Sequence, residues 1–411
     1  MAEAADGIII AGAGQAAAQL AQSLRAGGYA GPVTMVGDEA FPPYERPPLS
    51  KDYLSGKRQV ERLFLRPPAF WAEKQVELRL GRRVAGVDRL ARRVVLDDST
   101  ALPYAKLVWA AGGRPRRLSC PGTDLAGIHH IRSIADIDGL KAGLVLPERR
   151  VVIVGGGYIG LESAAVLRSG GHHVTVLETQ DRLLARVTAS PVPQFLLNLH
   201  RGHGVDVRLS TGVEGLTGGD GQVAGVRLST GELLPADLVV VGIGIIPNVE
   251  PLAAAGLACP DGVQVDEYCR TSDPDILAIG DCALHPSRFA PVPVRLESVQ
   301  NAIDQAKCAA GTILGQAEPY TAMPWFWSDQ YAVKMQTAGL SIGHDTQIVR
   351  GAVGVPPFSV VYLRDGRVIA LDCLSCPRDF MQGRALVTGA VAVNPIRLAD
   401  PTVELKALVP A

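Results

Sequence analysis

Short apolar runs rich in β-branched residues recur along this 411-residue chain, and most of them stop at glycine. The run IIIA at 8–11 leads into Gly12-Ala13-Gly14, and small apolar residues at helical spacing follow over 15–27. A second run at 33–36 ends at Gly37-Asp38-Glu39. A short apolar run, then a 3.6-residue period, then another short run predicts one strand–helix–strand unit. The pattern returns at 149–177, with a strand, Gly155-Gly156-Gly157, a helix over 160–169 and a strand over 173–177 ending at Glu178. Each half closes on an apolar strand at a Gly-rich turn, near Ala111 in 107–118 and near Gly244 in 235–248, so the halves read as an internal duplication. Weaker strands are expected at 84–87 and 93–96, a strand within 271–283 leading to Gly280-Asp281, and a helix over 298–314. Past residue 330 the pattern changes to antiparallel strands at 333–339, 355–363 and 367–372, with an Asp365-Gly366 turn, which predicts a separate α+β domain. Between 41 and 54, Pro42, Pro43, Pro47 and Pro48 preclude a regular helix or a central strand.

Composition narrows the class. The length calls for two or three domains, and 47% hydrophobic with 20% charged residues describes a soluble globular chain with sizeable cores. A formal net charge of −1 gives no global attraction to nucleic acid or to a membrane surface. The longest apolar runs are strand-length, and the N-terminus lacks a basic-then-apolar leader, so a cytoplasmic location is expected. Seven cysteines without a framework argue against a secreted disulfide scaffold. The pair Cys373 and Cys376 has no second pair or nearby histidine to complete a zinc site and is read as coincidence; no metal is expected.

The chemistry lies in the glycines. Gly12 and Gly14, and again Gly155, Gly157 and Gly160, follow a strand and open a helix, which is the context a dinucleotide-binding loop requires. Glycine permits the tight turn and lets backbone N–H groups approach a pyrophosphate at the helix N-terminus. In the first loop Ala17 stands at the third glycine position, where the requirement is helix–strand packing and alanine is tolerated. Glu178 lies 21 positions beyond Gly157, matching the acid about 20 residues on that reaches the adenosine ribose. A carboxylate there favours NADH over NADPH, although Arg182 is close. In the first unit Gly37 occupies the acid's place, so Asp38 or Glu39 must serve. Two such loops imply two dinucleotides and electron transfer between them.

Together with YERPPLSKDYL, VGIGIIPN, TSDPDILAIGDCA, RLESVQNA and PWFWSDQ, these loops make the chain closely resemble the FAD-dependent ferredoxin reductases of bacterial oxygenase systems. The resemblance runs in order from Gly12 to Gln330, and the C-terminal part matches in length and strand pattern. It implies an α/β fold with two Rossmann-like, glutathione-reductase-type nucleotide-binding domains and a C-terminal α+β domain. The expected boundaries are 1–115 with 247–322 for FAD, 116–246 for NADH, and 323–411 for the last domain, which closes over the flavin.

The resemblance also assigns residues. Ala16, Asp38, Lys51, Val84, Arg132, Asp281 and Val299 fall on FAD-contacting positions, and Arg46 and Ala111 lie in flavin-side loops. Lys51 corresponds to a lysine at the flavin N5 edge and Glu162 to its partner; both tune the flavin rather than move protons. Gly155, Gly157, Tyr158, Ile159, Gly160, Glu178 and Gly244 correspond to the NADH site. Trp327 is placed near the flavin and the docking surface, with Trp325 beside it and Arg66, Arg288, Arg295 and Lys307 as candidate docking charges. The implied reaction carries a hydride from NADH to FAD and passes electrons singly to a [2Fe–2S] ferredoxin feeding a cytochrome P450 or Rieske-type oxygenase. Disulfide reductases share the two-nucleotide plan but need cysteines beside the flavin, and 38–65 contains none. A redox-responsive interaction protein of the apoptosis-inducing-factor type is the other class considered. Such chains usually carry targeting sequences and long C-terminal insertions, and neither is expected here.

Overall fold

The computed structural model describes residues 7–409. The chain divides into two compact units, one built from the residues up to Glu45, Glu61–Arg114 and Ile246–Pro324, the other from Arg46–Val60, Pro115–Ile245 and the residues from Trp325 onward.

The first unit is organised by a five-stranded parallel sheet in the order Ile276–Ala278, Lys106–Trp109, Ile8–Ala11, Val33–Gly37, Val76–Leu80. Successive residues of its strands enter two different cores, as a parallel sheet covered on both faces requires. Ile8 and Ile10 pack with Val108 and Leu277 under the helices Gln15–Ala26 and Val299–Ile313. Those helices present mainly alanines to this core (Ala17, Ala18, Ala21, Ala306, Ala309, Ala310), which lets them lie close to each other and to the sheet. Ile9, Ala11, Leu107 and Trp109 face the other core, closed by Val84, Val94 and Leu96 of a three-stranded antiparallel sheet. Trp109 anchors this side by donating its indole N–H to the Asn248 carbonyl at 2.6 Å.

In the second unit a five-stranded parallel sheet runs Asp206–Arg208, His173–Leu177, Arg150–Val154, Leu238–Val241, Ile128–His130. In both parallel sheets the strand entering the glycine loop lies between the strand that follows its helix and a strand from much later in the unit, so the duplication read from the sequence is present in the topology. The residues from Trp325 onward form an antiparallel sheet in the order Trp325–Gln330, Val333–Gly339, Arg367–Leu374, Phe358–Arg364, Thr346–Arg350.

One expectation for this last region needs correction. The strand expected from residue 355 starts at Phe358, because Pro356 and Pro357 cannot donate to a ladder and Val355 lies exposed ahead of them. A helix, Pro377–Thr388, follows the sheet and supplies the helical part of the α+β domain, at a position the sequence pattern does not mark. Asp379 in its first turn accepts hydrogen bonds from buried Arg350 (3.0 Å) and Ser359 (2.7 Å), tying the helix start to the sheet.

Within that sheet Asp372, on the strand Arg367–Leu374, is almost fully buried, and its carboxylate accepts from the Tyr362 hydroxyl at 2.6 Å. Burial pushes the carboxyl up to about 7, and the Tyr362 hydrogen bond only partly offsets this. An unfolded aspartate titrates near 3.9, so between about pH 4 and 7 the unfolded chain has lost a proton that the folded one keeps. Stability should therefore fall as pH rises through that window and level off above it. Asp372→Asn, which stays neutral, should flatten the slope and raise stability at pH 8 by up to about 4 kcal/mol. Thermal unfolding of both proteins across pH measures this, and parallel pH profiles would refute it.

Candidate functional site

In the first unit the C-terminal ends of the parallel strands carry Gly12, Asp38, Ala111 and Asp281, whereas Arg46, Lys51, Arg132 and Trp327 of the expected flavin-side residues belong to the second unit. Gly12 has φ +120°, and a Cβ there would lie 2.2 Å from the Ala110 carbonyl oxygen. Gly14 caps the helix Gln15–Ala26 without a side-chain hydrogen bond, no acidic residue occupies the first turn, and the space beside its Cα is open. These are the properties an anionic pyrophosphate needs at a helix N-terminus. Ala17, at the third position, is fully buried in the helix–sheet core.

The displaced acid has a steric explanation. Gly12 N–H donates to Val36 O and Gly155 N–H to Leu177 O, so Gly37 is the counterpart of Glu178, and Ala13 of Gly156. A Cβ on Gly37 would lie 2.4 Å from the Ala13 Cβ. The first loop therefore carries its bulk at residue 13 and must leave the strand end bare. Of the two candidates, Glu39 accepts from the Tyr44 hydroxyl at 2.6 Å, while Asp38 stands exposed at the strand end. Beyond the edge strand Ile276–Ala278, Gly280 N–H donates to the buried Gln305 amide oxygen at 2.7 Å, and a Cβ on Gly280 would come within 3.2 Å of Ala16. That fixes the turn bearing Asp281, whose carbonyl accepts from Arg295 at 3.0 Å. Val84 is buried, Val299 is half-buried at the start of its helix, and Ala111 is held by Asn248 Nδ2 at 2.9 Å.

In the second unit the glycine loop is tighter. Gly155 has φ +113° with a built Cβ 2.4 Å from the Gly242 carbonyl oxygen, and a Cβ on Gly160 would meet Gly155 O at 2.1 Å. Gly157 faces open space and caps the helix Tyr158–Ser169. Glu178 closes the loop: its Oε2 accepts from Gly156 N–H at 2.8 Å and its Oε1 from Gln180 N–H at 2.9 Å. Arg182 donates to Ala185 O and makes only a 3.8 Å approach to Asp181. Ile159 is an exposed apolar residue in the first helical turn, and Gly244 has φ +94° with its carbonyl taken by Arg116 N–H.

The Lys51–Glu162 pair forms within this second unit. Arg46 precedes the short 3₁₀ turn Pro47–Ser50 and donates to the Arg132 carbonyl. The turn then presents Ser50 and Lys51 together to Glu162, on the buried side of the helix Tyr158–Ser169. Lys51 Nζ lies 2.5 Å and Ser50 Oγ 2.6 Å from Glu162 Oε2, while Ser328 Oγ donates to Oε1 at 2.7 Å. Three donors thus compensate a carboxylate that is 4% exposed. The two serine hydroxyls were missed at the level of sequence, although both sit in the motifs PPLSK and WFWSDQ; nothing in a motif says which oxygen they face.

Along the strand Trp325–Gln330 alternate side chains part. Trp325 and Trp327 lie together (ring centroids 5.6 Å), and Phe326 packs on Tyr158 at 4.6 Å. Burial and the Asp372 and Glu162 carboxylates raise the Tyr158 phenol. Among the candidate docking charges, Arg295 does not suit the role, being 11% exposed and engaged with Asp281 O and Glu297. Arg66 binds Gln22, Lys307 pairs with Asp304 at 3.3 Å, and Arg288 lies over the Phe289 ring. The cysteines are all free, and among the described residues no group of three His, Cys, Asp or Glu could hold a metal. Nor is any helix among them long and apolar enough to cross a membrane.

Comparison with known proteins matches residues 6–306 to the family described as pyridine nucleotide-disulphide oxidoreductase, and residues 325–409 to one described as reductase C-terminal. The chain is 49% identical over 401 residues to a ferredoxin–NAD(P)+ reductase of Sphingomonas sp., covering 97% of this chain and 96% of that protein. It is also 49% identical, over 98% of both chains, to the 5,5'-dehydrodivanillate O-demethylase ferredoxin reductase subunit of Sphingobium sp.. Among solved structures, a chain of the covalent putidaredoxin reductase–putidaredoxin complex superposes with a TM-score of 0.95 at 42% identity, covering 99% of this chain and 98% of that one. Two glycine loops on duplicated parallel sheets, a C-terminal reductase segment and near-full-length likeness have one meaning: the chain belongs to the pyridine nucleotide-disulphide oxidoreductase family, among its ferredoxin reductases.

Proposed function

We propose that this protein is an FAD-dependent NADH:ferredoxin oxidoreductase of the cytoplasm, delivering electrons singly to a [2Fe–2S] ferredoxin that serves a cytochrome P450 or Rieske-type oxygenase. The observation that carries the reading is the pair of glycine loops, each with an open helix N-terminus at the end of a parallel sheet, in a chain with no cysteine in 38–65. Without cysteines there, electrons that reach the flavin have no internal disulfide to enter. Bound FAD supplies the two-electron to one-electron conversion.

The chain's own residues divide the work. The Gly12 loop, Asp38 and Asp281 hold FAD, with Ala16, Val84, Ala111, Arg132, Val299, Arg46 and Trp327 as further contacts. The Gly155 loop, Tyr158, Ile159, Glu178 and Gly244 hold NADH. Lys51, held by Glu162, biases the flavin electrostatically. The three five-stranded sheets support a division into an FAD domain (1–115 and 247–322), an NADH domain (116–246) and a C-terminal domain (323–411).

Steady-state NADH oxidation with a panel of [2Fe–2S] ferredoxins tests the reading, and failure to reduce any of them overturns it. Glu178, pinned by two backbone N–H groups, cannot swing away from a 2′-phosphate. A like-charge contact of this kind costs several kcal/mol, so NADH should be preferred to NADPH by about 100-fold or more in kcat/KM. Glu178→Ala should cut that preference to about 10-fold, mainly by weakening NADH and admitting NADPH. Equal use of both nucleotides by the parent protein would remove the role given to Glu178.

A further inference from the structure

Glu162 is the end of a longer hydrogen-bonded chain. Gln330 is two residues beyond Ser328 on the same face of its strand, and both are buried. Gln330 Nε2 donates to Ser328 Oγ at 3.2 Å, and Ser328 Oγ donates to Glu162 Oε1 at 2.7 Å. At the far end His200, fully buried on the helix Val192–Gly202, places Nε2 2.9 Å from Gln330 Oε1. Its other ring nitrogen, Nδ1, is buried without a partner. Burial lowers the His200 pKa and keeps the ring neutral, with one N–H. An N–H on Nδ1 would be buried with no acceptor, so the hydrogen sits on Nε2, where it donates to Gln330 Oε1, and Nδ1 keeps a bare lone pair.

The order of donors then has one direction. A flipped Gln330 amide would set its NH2 against the His200 N–H and its oxygen against Ser328. The serine hydroxyl would then turn to donate to Gln330, and Glu162 Oε1 would lose its donor. His200 forbids the flip. Resting on the reading of Lys51 and Glu162 as flavin-tuning residues, we propose that Ser328, Gln330 and His200 are positioning residues: the histidine fixes the glutamine amide, which aims the serine hydroxyl at Glu162 and holds the carboxylate where Lys51 meets it. None of the three transfers a proton or touches the nucleotides in this role.

The test uses the flavin-loaded protein in single-turnover reduction by NADH, together with the flavin midpoint potential. Ser328→Ala and His200→Phe should each lower the limiting reduction rate about 5- to 20-fold, less than the full weight of a hydrogen bond to a charged group because the Lys51–Glu162 contact itself is kept. The apparent NADH dissociation constant should stay within about twofold, since no nucleotide contact is removed. Both variants should shift the potential in the same direction as Glu162→Gln. Ser328→Thr keeps the hydroxyl and should recover most of the rate. Because the residues act in series, the double variant should be no slower than the slower single one, whereas independent structural roles would multiply. In the flavin-free protein, 15N NMR of His200, assigned with His200→Gln, should show the Nε2–H tautomer at neutral pH. Multiplied effects, unchanged single variants or an Nδ1–H tautomer would each overturn the proposal. Lys51→Met separates it from the reading beneath: an unchanged potential there overturns the tuning role and the chain's purpose with it. A shifted potential with unaffected Ser328→Ala overturns the chain alone.

Discussion

Gly14→Ala should leave the flavin-free protein folded and strip it of FAD. The backbone at Gly14 is extended (φ −98°, ψ −161°), which alanine adopts readily, and its Cβ would meet nothing within 4 Å. The apoprotein's thermal midpoint should therefore stay within about 2 °C of the parent's apoprotein, as for a neutral surface substitution. The added methyl occupies the open space where a pyrophosphate must approach the helix N-terminus. Displacing one or two charge-assisted hydrogen bonds, worth about 1.5–3 kcal/mol each, weakens FAD retention by about 10- to 100-fold or more. Gly12→Ala should fail differently. With φ +120° and a Cβ 2.2 Å from Ala110 O, it damages the loop itself and lowers the apoprotein's stability as well. Flavin absorbance per polypeptide and calorimetry of both apoproteins distinguish the two cases. Full FAD content in Gly14→Ala would remove the first glycine loop from the flavin site.

Glu162→Gln carries the second large effect, although it keeps the shape of the side chain. Glu162 receives three donors and no acceptor: Lys51 and Ser50 on Oε2, Ser328 on Oε1. A glutamine has one oxygen. Oriented toward Ser328, its NH2 faces an ammonium and a hydroxyl; flipped, it faces the Ser328 hydroxyl and still offers Lys51 no charge. Breaking one side of a buried pair typically costs about 3–5 kcal/mol, and with Lys51 19% exposed the lower end applies. The variant should unfold at a clearly lower temperature. Its flavin should be reduced by NADH about 10- to 100-fold more slowly, because the ammonium loses its anchor. An unchanged reduction rate beside a lowered unfolding temperature would reduce the pair to a structural role.

The C-terminal helix shows why part of the fold was hidden from the sequence. Pro377 and Gly383 argue against a helix over Pro377–Thr388 on propensity. In the folded chain Pro377 takes the first helical position, where its missing N–H costs nothing. A Cβ on Gly383 would stand 2.7 Å from Leu371 and 3.2 Å from Leu405, so the glycine lets the helix lie down on the sheet. Local preference and tertiary packing point in opposite directions there, and packing prevails. Arg295 misleads in the other direction, since a lone arginine reads as surface charge until the turn carrying Asp281 is seen to bury it.

What the sequence by itself determined is the plan: two strand–glycine–helix units, an acid spaced for ribose, and no flavin-side cysteine. Those features are local, set by β-branched runs and by turns that only glycine can make. What the tertiary structure decided is how each loop meets its neighbours. The first loop has a methyl at Ala13 and a bare Gly37; the second has a bare Gly156 and the Glu178 carboxylate bound to its N–H. The same space between loop and strand end is filled from opposite sides, so residue 37 can carry no acid and the next carboxylate along the chain is that of Asp38. Spacing counts residues along one chain, but the exclusion lies between residue 13 in the loop and residue 37 at the end of the adjacent strand, where only packing can express it.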